Sequence, residues 1–572
     1  MVNIKIDDIN IKADKDKTVL EVARENNITI PTLCYLKKQN EIASCRICVV
    51  EIKGNKSLVP ACVTKISEGM EITSNSKRVL ESRKTNLELI ISNHNKDCGA
   101  CFRNKKCELQ LLATEYKVNE ERFGKLKEFV QIDEKSPYMI RDNNKCILCG
   151  KCASVCKKTQ EIGIIGKNYR GVKTKLGCAF DESIDDTSCI LCGQCIMACP
   201  TGALIEKNNI NLVNNAIEDK NKHVVVCVAP AVRASLGEEF GFPVGTNVKD
   251  KMVGSLKEVG VDKVFDVSFA ADLTVMEESY EFIKRLENKQ NIPMFTSCCP
   301  AWVKFVEKYY PEMTSNLSSC KSPNQMLGAT IKNYYAIKKD IDPKDVFVAS
   351  VMPCLSKKYE KDRGFPNEVD YKDVDVVITV RELAKMIKQK GIDFNNVDAA
   401  DFDIPFSTGA STIFGNSGGV MSAVLRTGVE TLTDKKLVKL EFDEIMITKG
   451  IKEVNYKFEE KIIKVAVVSG IKNAKTVIEK IKNKECEYHL IEFMACPGGC
   501  INGGGQPIVP SDIRNFTNFL ELRKNAIEEE DKNLSIRKAH ENPFIKELYD
   551  NYLKTPGSEE SCRILHTKHK KD

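Results

Sequence analysis

Two stretches of the chain repeat one spacing of cysteine. Cys146-Ile-Leu-Cys-Gly-Lys-Cys-Ala-Ser-Val-Cys156 and Cys189-Ile-Leu-Cys-Gly-Gln-Cys-Ile-Met-Ala-Cys-Pro200 both read C-x2-C-x2-C-x3-C. Thiolates at this spacing wrap cubane iron–sulfur clusters, and where two such runs occur together the fourth cysteine of each serves the other cluster. The pattern therefore predicts a domain over 138–207 that folds back on itself. Cys146, Cys149, Cys152 and Cys199 hold one [4Fe–4S] cluster, and Cys189, Cys192, Cys195 and Cys156 hold the second. The first run ends in Lys157 rather than proline, which removes no ligand. Within the intervening insert, 157–188, Cys178 matches no motif.

These residues belong to a set of 25 cysteines in 572 residues. In a small secreted domain such a count would mean disulfides; in a large chain with clustered cysteines it means metal or redox chemistry. The length calls for several domains, since single cores rarely exceed about 250–300 residues. No apolar run approaches the ~20 residues of a membrane span. The charged start, MVNIKIDDINIKADKDK, lacks the apolar core of a signal peptide, so a cytoplasmic protein without a membrane partner is expected. Net charge is +6. No Lys/Arg stripe with interleaved aromatics appears, which argues against a nucleic-acid partner. A mildly basic surface suits an acidic electron carrier or is ordinary charge scatter.

Residues 1–78 alternate in the manner of short strands (Val2–Ile6, Ile9–Ile11, Cys48–Ile52, Glu71–Thr73) around a helix near Val19–Glu25. They carry Cys34, Cys45, Cys48 and Cys62 at the spacing C-x10-C-x2-C-x13-C. Four thiolates with a close central pair suit a cluster, with zinc as the alternative. Residues 79–126 open on a helix, Val79–Ser92, and continue into His94-x3-Cys98-x2-Cys101-x5-Cys107. This is a credible His/Cys3 site for either zinc or a cluster. The charged stretch 127–137 reads as a linker, and the Asn-rich stretch 208–222 as a connector.

From His223 onward, apolar runs rich in β-branched residues (Val224–Val228, Val346–Val351, Asp375–Val380, Lys464–Ser469, Tyr488–Phe493) alternate with helical segments at Arg381–Lys390 and Lys472–Lys482. This predicts an α/β domain with parallel strands over 223–572. Three segments follow or adjoin such strands: Thr296-Ser-Cys-Cys-Pro-Ala-Trp302, Val351-Met-Pro-Cys-Leu-Ser-Lys-Lys358 and Phe493-Met-Ala-Cys-Pro-Gly-Gly-Cys500. Loops at the carboxyl ends of parallel strands converge in one crevice. They bring Cys299, Cys354, Cys496 and Cys500 as four ligands, with Cys298 as a fifth thiol. Spacing alone leaves zinc and a cubane both open. The C-terminal part, about 511–572, is charged and helical; His540 and His566 read as packing or capping residues.

The three segments resemble the signature motifs of the [FeFe]-hydrogenases, and the layout of the whole chain resembles their long, monomeric clostridial type. The resemblance implies a multidomain α+β and α/β protein. It has an N-terminal β-grasp [2Fe–2S] ferredoxin-like domain, a His/Cys3 [4Fe–4S] domain, a two-[4Fe–4S] bacterial ferredoxin-like domain and a C-terminal α/β H-cluster domain. The small-subunit region, 511–572, would be fused to the last of these. The H-cluster would be a cubane bridged through Cys500 to a two-iron unit carrying CO, cyanide and a dithiolate. The implied activity is reversible reduction of protons to H2 with ferredoxin or flavodoxin as carrier, after loading by maturation proteins.

The same resemblance implies roles for pocket residues. Lys357 would donate to a cyanide ligand. Pro230, Ala231, Pro323, Met352, Phe414, Val420 and Met494 would line the pocket, and Gly503-Gly-Gly505 would let backbone approach the cofactor. Taken alone, each reads as packing or a turn. Protons would travel by way of Cys298, whose thiol at an ordinary pKa of ~8.5 exchanges near neutral pH, then Glu278, Ser318, Glu281 and Arg285. Without the family, the two carboxylates read as a solvated helix face. Relatives often carry Ser, Gln and Glu where this chain has Ala231, Asn324 and Ser422. Two other readings remain: an electron-transfer subunit of a larger redox complex, and a non-catalytic hydrogenase-like assembly factor. Retention of Cys298, Lys357, Met352 and Met494 argues against the second. Cys227, Cys320, Cys486 and Cys562 match no motif.

Overall fold

The computed structural model describes residues 1–363, 371–404, 406–433, 435–437, 439–458 and 461–570. It divides into two compact units: Met1–Cys189 with Gln194–Lys207 and Val509–Asn518, and Ile190–Gly193 with Asn208–Ile508 and Phe519–Asp572.

In the first unit, strands β1 (Val2–Ile6), β2 (Ile9–Ala13), β3 (Val49–Ile52), β4 (Val59–Pro60) and β5 (Glu71–Thr73) form a sheet in the order β2-β1-β5-β3-β4. The helix Val19–Glu25 packs Val19, Leu20, Val22 and Ala23 beneath it against Ile4, Ile6, Val50 and Ile72. Its start is fixed by a capping box in which Thr18 and Glu21 satisfy each other's backbone amides. The helix Lys77–Ser92 follows, two residues longer at its start than its sequence suggests. Beyond it, β6 (Met139–Arg141) pairs with β9 (Leu204–Glu206), while β7 (Gly166–Asn168) and β8 (Lys175–Gly177) form a hairpin within the insert.

The second unit holds two sheets. Strands β10 (His223–Val228), β11 (Lys263–Asp266), β13 (Val346–Met352) and β14 (Val376–Thr379) run parallel in the order β11-β10-β13-β14. β10 and β13 are buried along almost their whole length, which explains their unbroken apolar sequence. The other sheet has the order β12-β18-β17-β16-β15, from β12 (Met294–Phe295), β15 (Ile445–Thr448), β16 (Ile451–Phe458), β17 (Lys461–Ser469) and β18 (Leu490–Met494). The strands expected from the sequence pair in parallel, β10 with β13, β13 with β14 and β17 with β18; this second sheet also holds strands that were not expected. β12, β18 and β17 are parallel, but β15 and β16 add antiparallel, with β16 paired to β17 from Ile451↔Val468 to Phe458↔Lys461. β16 interleaves polar with apolar residues (Ile451-Lys-Glu-Val454-Asn-Tyr456), which hides it from a search for apolar runs, and β15 is a run of only four residues, all exposed.

The connector expected at 208–222 is also corrected. It contains a helix, Ile210–Glu218, whose Ile210, Val213 and Ala216 are buried at the helical spacing of three. Among the described residues, no helix is long and apolar enough to cross a membrane.

Candidate active site and cluster sites

Each central cysteine sits just past the carboxyl end of a parallel strand. β12 leads to Cys298 and Cys299, β13 to Cys354, and β18 to Cys496 and Cys500. Pro300 opens the helix Pro300–Tyr309 immediately after Cys299, its missing N–H costing nothing at that position. Fully buried Trp302 then stacks on Phe493 with ring centroids 3.9 Å apart, and Phe295 meets Phe493 edge-on at 5.1 Å. These rings tie the Cys299 loop to the Cys496 loop. The triple glycine also serves the contact between loops. A Cβ on Gly503 would lie 2.0 Å from the Pro353 carbonyl, and one on Gly504 2.5 Å from the Cys192 carbonyl. The glycines therefore admit neighbouring backbone, which brings the Cys354 loop against the Cys500 loop.

The thiols of Cys299, Cys354, Cys496 and Cys500 lie close enough to influence one another electrostatically, and Cys496 also feels Cys192. Burial pushes Cys354 up to about 12, and Cys496 and Cys500 upward as well. Buried thiols of this kind lose their protons to solvent when a metal binds and takes the thiolate sulfur. Cys299, Cys354 and Cys500 face a cavity of about 80 Å³ whose wall includes Cys298, Pro230, Ala231, Pro323, Met352, Lys357, Phe414 and Met494. Val420 is the exception among the expected pocket residues. It does not line the cavity and is fully buried in the apolar cluster it shares with Phe414 and Met494, against which Cys298 and Cys500 pack.

The cavity's chemistry matches an inserted metal group with diatomic ligands. Asn324 lines it, is 2% exposed, and among the described residues has no hydrogen-bond partner at either Oδ1 or Nδ2. An amide stranded in an apolar wall costs about 1–3 kcal/mol unless an occupant satisfies it. Lys357 supplies the positive charge. Its Nζ donates to the Cys298 carbonyl at 3.2 Å and pairs with Glu360 at 2.9 Å. Burial opposes its charge, but Glu360 outweighs burial and the ammonium is held. Glu360 was missed in the sequence, although its position three residues after Lys357 on a helix would have marked it.

Behind Cys298 lies the helix Val267–Asn288. Glu278 is fully buried rather than part of a solvated face; among the described residues neither carboxyl oxygen meets a donor at full hydrogen-bond geometry, with the Ser297 amide and the Ser318 hydroxyl the nearest donors. Burial first, then Glu281, raises its carboxyl to about 8. Glu281 accepts from Ser318 Oγ at 2.8 Å and from Arg285 at 2.6 Å, and Arg285 also reaches the Leu317 carbonyl at 2.7 Å. The Cys298 thiol departs from the expected ordinary acidity. Burial, then Glu278, holds it well above the usual value, so it keeps its proton at neutral pH.

In the first unit, the thiols of Cys34 and Cys45 are in hydrogen-bond contact, as are those of Cys48 and Cys62. His94 shares a cleft with Cys98 and Cys107. Its Nδ1 is buried without a partner, and burial, then Lys145, lowers its pKa to about 4, leaving a neutral imidazole suited to a metal. Cys101 packs on Gly202, where a Cβ would fall 2.7 Å from its Sγ. Cys199 joins Cys146, Cys149 and Cys152, the crossing that the repeated spacing predicts. Cys156, Cys189 and Cys195 belong to this unit and Cys192 to the other.

Comparison with known proteins finds family matches along the chain. Residues 1–77 match the 2Fe-2S iron-sulfur cluster binding domain, 83–122 the NADH-ubiquinone oxidoreductase-G iron-sulfur binding region, and 145–203 the 4Fe-4S dicluster domain. Residues 222–504 match the iron only hydrogenase large subunit, C-terminal domain, and 517–572 the iron hydrogenase small subunit. The chain is 42% identical to iron hydrogenase 1 of Clostridium pasteurianum over 576 residues, covering 100% of both. It is also 42% identical to the NADP-reducing hydrogenase subunit HndD of Solidesulfovibrio fructosivorans, over 99% of this chain and 98% of that one. A solved variant of apo [FeFe]-hydrogenase HydA1 from Chlamydomonas reinhardtii superimposes with a TM-score of 0.57 at 35% identity, covering 64% of this chain and 99% of that one. With likeness running from the first cluster domain to the last helix, and four thiols converging on one apolar cavity, the chain belongs to the iron-only hydrogenases.

Proposed function

We propose that this protein interconverts protons and hydrogen, 2 H⁺ + 2 e⁻ ⇌ H₂, at the cavity bounded by Cys298, Met352, Lys357, Phe414 and Met494. The observation that carries the reading is the stranded Asn324 amide in a wall otherwise built for an apolar occupant, beside the thiols of Cys299, Cys354 and Cys500. Cys299, Cys354, Cys496 and Cys500 would hold the H-cluster, with Cys500 shared between its two parts. When bound, that group supplies the metal at which electrons and protons combine. Lys357 and Asn324 donate hydrogen bonds to its polar ligands, and Met352, Phe414 and Met494 exclude water. Cys298 holds a proton beside the cavity. Glu278, Ser318, Glu281 and Arg285 carry protons to the surface.

Electrons would arrive through four accessory clusters. Cys34, Cys45, Cys48 and Cys62 hold the [2Fe–2S] cluster, and His94, Cys98, Cys101 and Cys107 the histidine-ligated [4Fe–4S] cluster. The two remaining [4Fe–4S] clusters take Cys146, Cys149, Cys152 and Cys199, and Cys189, Cys192, Cys195 and Cys156. We assign ferredoxin or flavodoxin as the carrier, a cytoplasmic location and a monomeric state by likeness to the clostridial enzyme. The equal likeness to a hydrogenase subunit supports a second reading, in which the same site works within a larger complex. Infrared spectra of the protein after maturation test the central claim. Carbonyl and cyanide stretching bands are expected; a spectrum without them after full maturation overturns the catalytic reading.

A further inference from the structure

A second group of metal-ligand side chains lies outside the cavity. Glu281 comes from the helix Val267–Asn288, Cys320 from the segment before Pro323, and His566 from the end of the helix Glu559–Leu565. One ligand atom from each falls within 4.8 Å of the other two. Cys320 Sγ already lies 3.9 Å from Glu281 Oε2, while Arg285 is held by Oε1. Cys320 and His566 also face each other as an antiparallel backbone bridge, which fixes their separation. The sequence marked His566 as a packing residue and gave Cys320 no role.

The histidine is prepared for a metal. Its Nε2 lies 3.0 Å from Oε2 of Glu277, and Glu277 is itself fully buried, accepting from Tyr549 at 2.6 Å and from the Gly557 amide at 2.9 Å. A carboxylate behind one ring nitrogen sets the tautomer and leaves a lone pair on the other, here Nδ1. Among the described residues, Nδ1 hydrogen-bonds to the Ser319 hydroxyl, at 2.8 Å, which can rotate away. Sulfur, imidazole nitrogen and carboxylate oxygen together favour zinc, whose tetrahedral shell needs these atoms about 3.3–3.6 Å apart. Side-chain shifts of about 1 Å close the difference, and water completes the shell. The other mixed group, Glu430, His540 and Glu541, has no sulfur, and Lys538 already sits 2.7 Å from Glu430.

We propose that Glu281, Cys320 and His566 form a binding site for a divalent transition-metal cation, best matched by zinc, whose occupancy closes the proton exit. The second half rests on the proton route proposed above. Oε2 of Glu281 is the atom that accepts from Ser318, so a cation there removes the acceptor through which a proton leaves.

The test uses the mature full chain with chelator-buffered zinc. One zinc per chain is expected at this site, with a zinc-edge X-ray absorption shell of a single sulfur and lighter nitrogen or oxygen atoms. In Cys320→Ala, Cys320→Ser and His566→Gln, activity without zinc should stay within about twofold, and the zinc concentration for half-inhibition should rise at least ~10-fold. Equal zinc affinity in wild type and all three variants, or a shell with no sulfur or several, overturns the site. Zinc bound with one sulfur but without inhibition overturns the gating. A mature protein that makes no hydrogen before zinc is added overturns the hydrogenase reading instead, and the binding measurement still decides the site.

Discussion

Replacing Glu278 by Gln separates proton delivery from folding. The Glu278 carboxyl is raised from 4.5 to about 8 by burial and by Glu281, so the folded chain retains a proton that the unfolded chain releases. Stability from this group is therefore complete below about pH 4.5 and is lost as pH rises toward 8. At pH 7, about 2.5 pH units above the unfolded value, the loss is about 3 kcal/mol; at pH 5.5 it is about 1 kcal/mol. Gln keeps the shape of the neutral acid and cannot ionise. Glu278→Gln should thus be more stable than wild type at pH 7 by up to about 3 kcal/mol, with the advantage shrinking toward pH 5.5. Hydrogen evolution should fall about 10²-fold or more, because a general acid is removed from the route. Thermal inactivation from pH 5.5 to 8 measures the first effect. Gas chromatography of hydrogen evolved from a reduced viologen measures the second, with infrared bands showing that the cofactor is loaded. An unchanged rate would take Glu278 out of the route. A variant less stable than wild type at pH 7 would refute the electrostatic argument itself.

Three further substitutions probe the site. Cys298→Ala should retain all clusters, as iron content and infrared spectra report, yet lose nearly all turnover; full activity would exclude this thiol as a required carrier. Cys500→Ala should load the accessory clusters but show no carbonyl bands after maturation, and normal bands would refute its bridging role. Trp302→Ala removes a fully buried ring stacked on Phe493 and should cost about 3–5 kcal/mol in thermal inactivation experiments. It should also lower cofactor loading, since the Cys299 and Cys496 loops lose their common anchor; a variant as stable as wild type would show that the rings do not hold the loops.

Much of the site was legible in the chain because metal ligands obey local rules. A C-x2-C-x2-C-x3-C run fixes how far apart its sulfurs can be before any tertiary contact forms, and two such runs imply the crossing that unites Cys199 with Cys146, Cys149 and Cys152. Strand periodicity placed Cys354 and Cys496 after β13 and β18. The same reasoning failed where a segment exposes one face. The Ile210–Glu218 helix and β16 interleave polar with apolar residues and so do not stand out, and β15 is a run of only four residues.

The sequence by itself determined which atoms can bind metal and roughly how many clusters the chain carries, because both follow from residue type and covalent spacing. Only the tertiary structure decided how those atoms behave. It buried Glu278 and half-buried Cys298 beside it so that both hold their protons, stranded the Asn324 amide in an apolar wall, left Val420 out of that wall, and set His566 beside Cys320 from 246 residues away. Acidity, hydrogen-bond satisfaction and the meeting of remote side chains depend on which surfaces exclude water and on what lies opposite, and long-range packing sets both.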